Sequence, residues 1–176
     1  GIDNNNSMGD DSGEMAQLTG INLGTGRTAK SISMGEYHSC ALLDNASVKC
    51  WGWNHYGQLG IGSNVTMGDG SGEMDSLPTI NLGTGRTATA ISAGYYHSCA
   101  VLDNASVKCW GRNNYGQLGI GSASMKGRYS REMGDNLTAA DLGTGRTATA
   151  IAAGTFHSCA VLDNGVVKCW GYNYYG

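Results

Sequence analysis

The sequence predicts an all-β fold of three tandem units, a solenoid or propeller in which no unit buries its faces alone. Three observations carry that prediction. HSCALLDNASVKCWG begins at His38, HSCAVLDNASVKCWG at His97 and HSCAVLDNGVVKCWG at His157, at offsets of 59 and 60 residues. Upstream of each, INLGTGRTAKSI, INLGTGRTATAI and ADLGTGRTATAI keep the same spacing, and YGQLGIGS follows at Tyr56 and Tyr115. Within a unit the apolar residues alternate or run in short stretches, and no segment has helical spacing with a cap at each end.

The elements of the middle unit can be justified in chain order. The TATAI run at residues 87–91 is β-branched and alternating, the mark of a half-buried strand. Gly94 interrupts it, and a second strand resumes at His97 and runs to Leu102. Asp103-Asn104-Ala105 breaks the run, and residues 107–110 form a third strand before a glycine-rich turn. In the last unit the tip reads Asp163-Asn164-Gly165, a three-residue hairpin loop whose final position is left-handed and favours glycine. Ala46 and Ala105 stand at that position in the other units, at a cost in strain or through a different turn. GTGR recurs at Gly24, Gly83 and Gly143. A phosphate loop would need a helix behind it, whereas strand residues follow, so the motif reads as a tight turn between units.

Length and composition exclude several classes. A chain of 176 residues is long enough for a real core, and 40% hydrophobic content is too high for a disordered tail. Glycine at 29 positions with one proline, Pro78, excludes collagen. Eleven Lys and Arg against fourteen Asp and Glu leave no basic patch, so no nucleic-acid partner is expected. No apolar run approaches the ~20 residues of a membrane span. The chain starts at Gly1 without a signal-peptide pattern, as expected of a mature fragment. The units are expected at residues 1–62, 63–121 and 122–176, permuted relative to the blades. The last unit stops at NYYG where the others continue QLGIG, so the two ends abut in register, as in a segment of a longer array.

The pattern G-x-x-H-[ST]-C-A-L-x-D-x-x-x-V-x-C-W-G-x-N-x-x-G-Q-L-G, read through the three units, resembles the repeat of the regulator of chromosome condensation family. The resemblance covers the chain apart from variable loops at residues 4–11, 64–71 and 123–131. It implies β-propeller blades, each a four-stranded sheet, usually seven to a ring. It does not single out one function, since family members include exchange factors, enzyme inhibitors and secreted proteins. Three units are too few to close a ring, which leaves part of a larger propeller or an open superhelical or fibrous array.

Six cysteines form three pairs ten residues apart, Cys40 with Cys50, Cys99 with Cys109 and Cys159 with Cys169. Counting outward from a three-residue turn, Leu43 faces Ser47, Leu42 faces Val48 and Cys40 faces Cys50. That is a non-hydrogen-bonded position, with Cα atoms about 4.5 Å apart, within disulfide range. Bridges inside each unit imply an oxidising compartment, hence an extracellular or cell-surface location. Free buried thiols compete with this reading, as does a zinc set of His-x-Cys plus the second Cys. Yet His38, His97 and His157 recur at the family's structural histidine, and no fourth ligand follows. Sequons at Asn5, Asn45, Asn64, Asn104 and Asn136 are candidate N-glycosylation sites, with Asn45 and Asn104 on hairpin tips. A chain rich in Asn, Ser and Thr also produces sequons by chance.

Other chemistry is sparse. Asp3, Asn5, Ser7 and Glu14 echo a calcium loop, but Met8 stands where glycine is required and Gly62 replaces Asp3 in the next unit. MGDDSGEM and MGDGSGEM leave a weak oxygen site for Ca²⁺ as the one cofactor expectation. Serine and histidine are adjacent at His97-Ser98, but they recur in every unit and point to opposite faces of a strand. Asp44, Asp103 and Asp163 belong to turns, so no asymmetric centre emerges and no enzyme activity is expected. Trp51, Trp110 and Trp170 read as core between units. Trp53 replaces Arg112 and Tyr172 and stands beside His55, a candidate exposed contact. Tyr56, Tyr115, Tyr174 and Tyr175 form a similar series, open to reading as interface or as packing.

Near-identical units and the absence of an asymmetric site favour a non-enzymatic extracellular structural protein. It would be disulfide-stapled and N-glycosylated, joining further repeats or further copies head to tail into an array or fibre. The alternative is a closed propeller that binds a protein partner through its loops, with Lys126, Arg128 and Arg131 in its contact surface.

Overall fold

Each repeat folds into one antiparallel sheet. The computed structural model describes residues 1–175. The first sheet holds β1 (Ala29–Met34), β2 (His38–Leu43) and β3 (Val48–Gly52). The second holds β4 (Ala88–Ala93), β5 (His97–Leu102) and β6 (Val107–Gly111), and the third β7 (Ala148–Ala153), β8 (His157–Leu162) and β9 (Val167–Gly171). Strand order follows chain order in every sheet, so each blade is a simple meander. The register matches the count from the turn, with Leu42 opposite Val48 and Cys40 opposite Cys50. The tip closes through Leu43 N–H to the Ser47 carbonyl at 2.9 Å.

Two expectations are corrected. Blades are three-stranded, and the place of a fourth strand is marked by single bridges, Gly52 to Met67 and Gly111 to Lys126. Glycines at 68, 70 and 72 and then Pro78 break the chain here, and Gly68 and Gly72 adopt left-handed φ of 93° and 77°. The outer edge of β3 is therefore covered piecewise, by Met67 at one end and by Ile80 N–H to the Val48 carbonyl at the other. Short helices also occur where none was expected, α1 (Glu14–Gln17), α2 (Glu73–Ser76) and two 3₁₀ turns, Ser130–Glu132 and Gly134–Asn136. At four residues or fewer, they lie below the length at which apolar periodicity is readable.

The core lies between sheets. One cluster joins Leu42, Val48 and Leu59 to Ala100, Leu102, Trp110 and Leu137, and a second repeats this from Val101, Val107 and Leu118 to Ala160 and Leu162. Backbone bonds cross the same seams, from Ala88 N–H to the Ala46 carbonyl and from Ala148 N–H to the Ala105 carbonyl, both 2.9 Å. Adjacent blades also meet along their first strands, where Ser33 and Ser92 hydroxyl oxygens accept from the Ala93 and Ala153 amides. Trp110 is fully buried, and a Cβ on Gly60 would sit 2.6 Å from its Nε1. Gly60 has φ +66°, so both its space and its backbone favour glycine.

Candidate functional site

The histidines and serines meet across blades. His38 Nε2 lies 2.8 Å from Ser98 Oγ, and His97 Nε2 lies 2.9 Å from Ser158 Oγ. Adjacent His97 and Ser98 serve opposite seams, as strand alternation requires. Ser98 Oγ donates to the Gln58 carbonyl at 2.9 Å, which also accepts from Trp110 Nε1. With its one proton committed, the serine accepts from His38, so the imidazole carries its proton on Nε2. Such a histidine is not a general base for that serine, and no carboxylate orients it, since Nδ1 of both His38 and His97 has no partner. Burial pushes both imidazoles down to about 4, which keeps them neutral at pH 7. The chain of His, Ser, carbonyl and Trp is a clamp between blades.

The cysteine sulfurs are bonded in three pairs, Cys40–Cys50, Cys99–Cys109 and Cys159–Cys169, with Cα atoms 4.0–4.1 Å apart. The first two are wholly buried in the seams. GTGR forms the expected tight turn in the segment that leads from one sheet to the next, with Arg86 N–H donating to the Gly83 carbonyl at 3.1 Å. Its arginine reaches the hairpin tip of the blade that follows, where Arg27 pairs with Asp44 at 3.3 Å, Arg86 with Asp103 at 3.4 Å and Arg146 with Asp163 at 3.4 Å. The hairpin-tip aspartates thus also accept from the Thr28, Thr87 and Thr147 amides.

The acidic loops close on themselves. Glu73 Oε2 accepts from the Gly68, Asp69 and Gly70 amides, Glu14 from Gly9 and Asp11, and Glu132 from Arg128 and Tyr129. These amide bonds hold the Glu14 and Glu73 carboxyls below the usual range. Asp3 turns away to the next unit and accepts from the Gly72 and Met74 amides, so it does not converge with Asn5, Ser7 and Glu14. Among the described residues, no three His, Cys, Asp or Glu side chains are placed to share a metal ion. The five sequon asparagines, Asn5, Asn45, Asn64, Asn104 and Asn136, are all exposed. In the loop at residues 123–131, Arg128 and Arg131 stack on exposed Tyr129 at 6.0 and 5.6 Å.

One face carries a continuous aromatic ladder. It rises from the β1–β2, β4–β5 and β7–β8 turns and from the segments after β3, β6 and β9. Trp53 lies 5.2 Å from Tyr96, which lies 5.1 Å from Tyr56 and 4.2 Å from Tyr95. Tyr95 leads to Phe156 at 5.7 Å, then Tyr115 at 5.5 Å and Tyr172 at 4.7 Å, with Tyr174 and Tyr175 beyond. Exposed His55 stacks on Trp53. Hydroxyls of Tyr96 and Tyr37 hold the Tyr95 phenol above its ordinary value. Tyr37 is 53% exposed and Tyr115 44%, so the ladder is a surface rather than a core. The sequence offered Trp53 and the Tyr56, Tyr115, Tyr174 and Tyr175 series; it did not offer Tyr37, Tyr95, Tyr96 and Phe156, which flank the structural histidines. Their signal was a ring before each histidine in GEYH, GYYH and GTFH. A cleft of about 710 Å³ on the third blade adjoins the far end of the ladder and is lined by Phe156, His157, Trp170 and Tyr172 among others.

The model of the "Regulator of chromosome condensation (RCC1) repeat" matches residues 29–58, 88–117 and 148–176, and a second model of that repeat matches 47–101. Protein RCC1 of Candida albicans is 31% identical over 153 residues, covering 81% of this chain and 32% of that protein. The probable E3 ubiquitin-protein ligase HERC4 of Homo sapiens is 33% identical over 145 residues, covering 82% of this chain and 12% of that one. Among solved structures, yeast RCC1 (Prp20) in its complex with Kap60 superposes with a TM-score of 0.61 at 24% identity, over 82% of this chain and 32% of that chain. Human WBSCR16 does so with 0.65 at 21%, over 82% and 33%. These structures establish the fold, and the chain spans at most about a third of the relatives it matches.

Proposed function

This chain belongs to the regulator of chromosome condensation (RCC1) repeat family, and on that premise we propose that it is a non-enzymatic, propeller-type scaffold that binds a protein partner through its aromatic face. One observation carries the reading. The blades are near copies along HSCA, LDN and VKCWG, yet on the aromatic face, between the recurring rings Tyr37, Tyr96 and Phe156 and Tyr56, Tyr115 and Tyr175, three positions diverge: Glu36, Tyr95 and Thr155; Trp53, Arg112 and Tyr172; His55, Asn114 and Tyr174. Packing between equivalent blades calls for equivalent residues, whereas a contact surface gains from different ones. Tyr and Trp also suit an interface, because they offer large rigid area and a polar edge. One neighbour of known structure, yeast RCC1, is itself seen bound to another protein, Kap60.

The test is a random peptide display library selected on the intact chain. Binding of the selected peptides is expected to fall at least about tenfold in Tyr37→Ala and Tyr115→Ala, as for hot-spot aromatics. Substitution of the hairpin tips, Asn45→Ala and Asn104→Ala, should leave it unchanged. Peptides indifferent to the aromatic substitutions would overturn the proposal.

A second reading concerns compartment and assembly. The paired cysteines and the five exposed sequon asparagines support an extracellular, N-glycosylated protein. The cleft on the third blade, whose His157 and Cys159 match residues that meet the next blade elsewhere, supports head-to-tail packing of a further unit there. Non-reducing mass spectrometry and glycosidase treatment of protein from its native source test the first part. Thiols in place of bridges, or unmodified asparagines at all five sites, would remove it. Concentration-dependent sedimentation tests the second, and a single species throughout would remove it.

A further inference from the structure

Arg112 occupies the centre of the aromatic face, and its surroundings say what that face takes; the inference rests on the reading of this face as a docking surface. Its backbone is anchored by Arg112 N–H to the Tyr96 carbonyl at 2.9 Å. The guanidinium carbon lies 5.2 Å from the Tyr56 ring centre, 5.6 Å from Tyr96 and 5.6 Å from Phe156. One ring comes from each repeat, so the charge is held in a box built by three blades. Cation–π contact fixes the position of a guanidinium but leaves its N–H donors free.

Those donors are unspent. The ion pairs among the described residues are Arg27–Asp44, Arg86–Asp103 and Arg146–Asp163, and none reaches Arg112. Its Nε is buried without a hydrogen-bond partner, as is that of Arg128, so a docked group would meet the two Nη, which take part in none of the hydrogen bonds among the described residues. An unpaired guanidinium in a site built of rings requires a reason. Blade packing does not supply one, because Trp53 and Tyr172 fill the equivalent position with a ring and no charge.

We infer that Arg112 is a preset carboxylate receptor, and that the segment docking on this face carries an Asp or Glu flanked by apolar residues. A planar guanidinium fork matches a carboxylate bidentately. The surrounding rings take the apolar flanks. A chain with net charge −3 and a single guanidinium held among three rings suits a single carboxylate better than a polyanionic backbone.

The experiment extends the display selection on the intact chain. Enriched peptides should carry Asp or Glu beside an aliphatic or aromatic residue. Replacing that acid by its amide should weaken binding at least about tenfold, the usual worth of a charge-assisted bond. Arg112→Gln should abolish the difference between acid and amide, and Arg112→Lys should lose most of it. Arg112→Tyr is the folding control, because a tyrosine already stands at this position in the third blade; its thermal midpoint should stay near that of the parent while acid selectivity disappears. Peptides that lose binding in Tyr37→Ala and Tyr115→Ala yet bind equally as acid and amide would overturn the inference and leave the scaffold reading standing. Preference for an oligothymidylate over all peptides would overturn the inference as well. Ligands indifferent to every substitution on the face, or no enrichment, would overturn both.

Discussion

Ala46 and Ala105 show how a single residue can be legible in kind and still be settled only by the structure. The three-residue tip calls for a left-handed last position, and Gly165 meets it at φ 80°. The alanines adopt the same conformation, at φ 64° and 61°, so the turn is kept and the strain is borne. Ala46→Gly and Ala105→Gly are each expected to stabilise the fold by roughly 0.5–1 kcal/mol, the left-handed penalty less glycine's extra unfolded freedom. Urea unfolding measures this, and a loss of stability would show that the alanine methyls contribute packing instead. The buried histidines make a second prediction at this scale. Their folded values near 4 lie below the unfolded 6.5, so the unfolded chain binds more protons between those values. Stability is therefore complete above pH 6.5 and falls as pH drops towards 4, by on the order of 3 kcal/mol per histidine. His38→Gln should remove about half of the fall in thermal midpoint across that window, His97 keeping the rest, and should leave untouched the acid loss from Asp44 and Glu73, whose amide-bonded carboxyls titrate below their ordinary values.

At the scale of elements, the hairpins were legible because their information is local. Turn length fixes register, and register places Cys40 opposite Cys50. Closing a ten-residue loop contributes about 2–3 kcal/mol on the chain-entropy account. The double variant Cys99→Ala/Cys109→Ala should lose that much in urea unfolding, while a loss below about 1 kcal/mol would mean the seam relaxes to fill the space. The missing fourth strand was not legible, because the implied blade had four strands while the glycines at 68, 70 and 72 act against a run at that place. Nor was the role of Glu14, Glu73 and Glu132, since acid at that spacing reads equally as a metal ligand or as a cap for its own loop. Amide donors already surround the Glu73 carboxylate. Addition of millimolar CaCl₂ or of a chelator should leave the thermal midpoint unmoved, and Glu73→Gln should lower it in both buffers. A calcium-dependent rise would restore the metal reading.

Across the whole molecule, the repeats were visible at once from sequence period, but the means of joining them was not. Each seam depends on pairs about sixty residues apart, such as His38 with Ser98 and His97 with Ser158, which no local pattern couples. The aromatic face was half visible for the same reason, since Trp53 and Tyr96 come from different blades and meet only through the stacking of sheets. Because the strands of each sheet pack against those of the next sheet in the chain, stability should divide largely into seam terms, as in a one-dimensional array. His38→Ala and Ser98→Ala break one seam, and His97→Ala and Ser158→Ala the other. Within a seam, the second substitution removes a partner already orphaned, so the double variant should fall short of the sum by about 0.5–3 kcal/mol. Between seams, His38→Ala with Ser158→Ala should add to within about 0.5 kcal/mol. Coupling as strong between seams as within one would mean that the three blades unfold through a shared core, and the clamp described here would not be the unit of their cohesion.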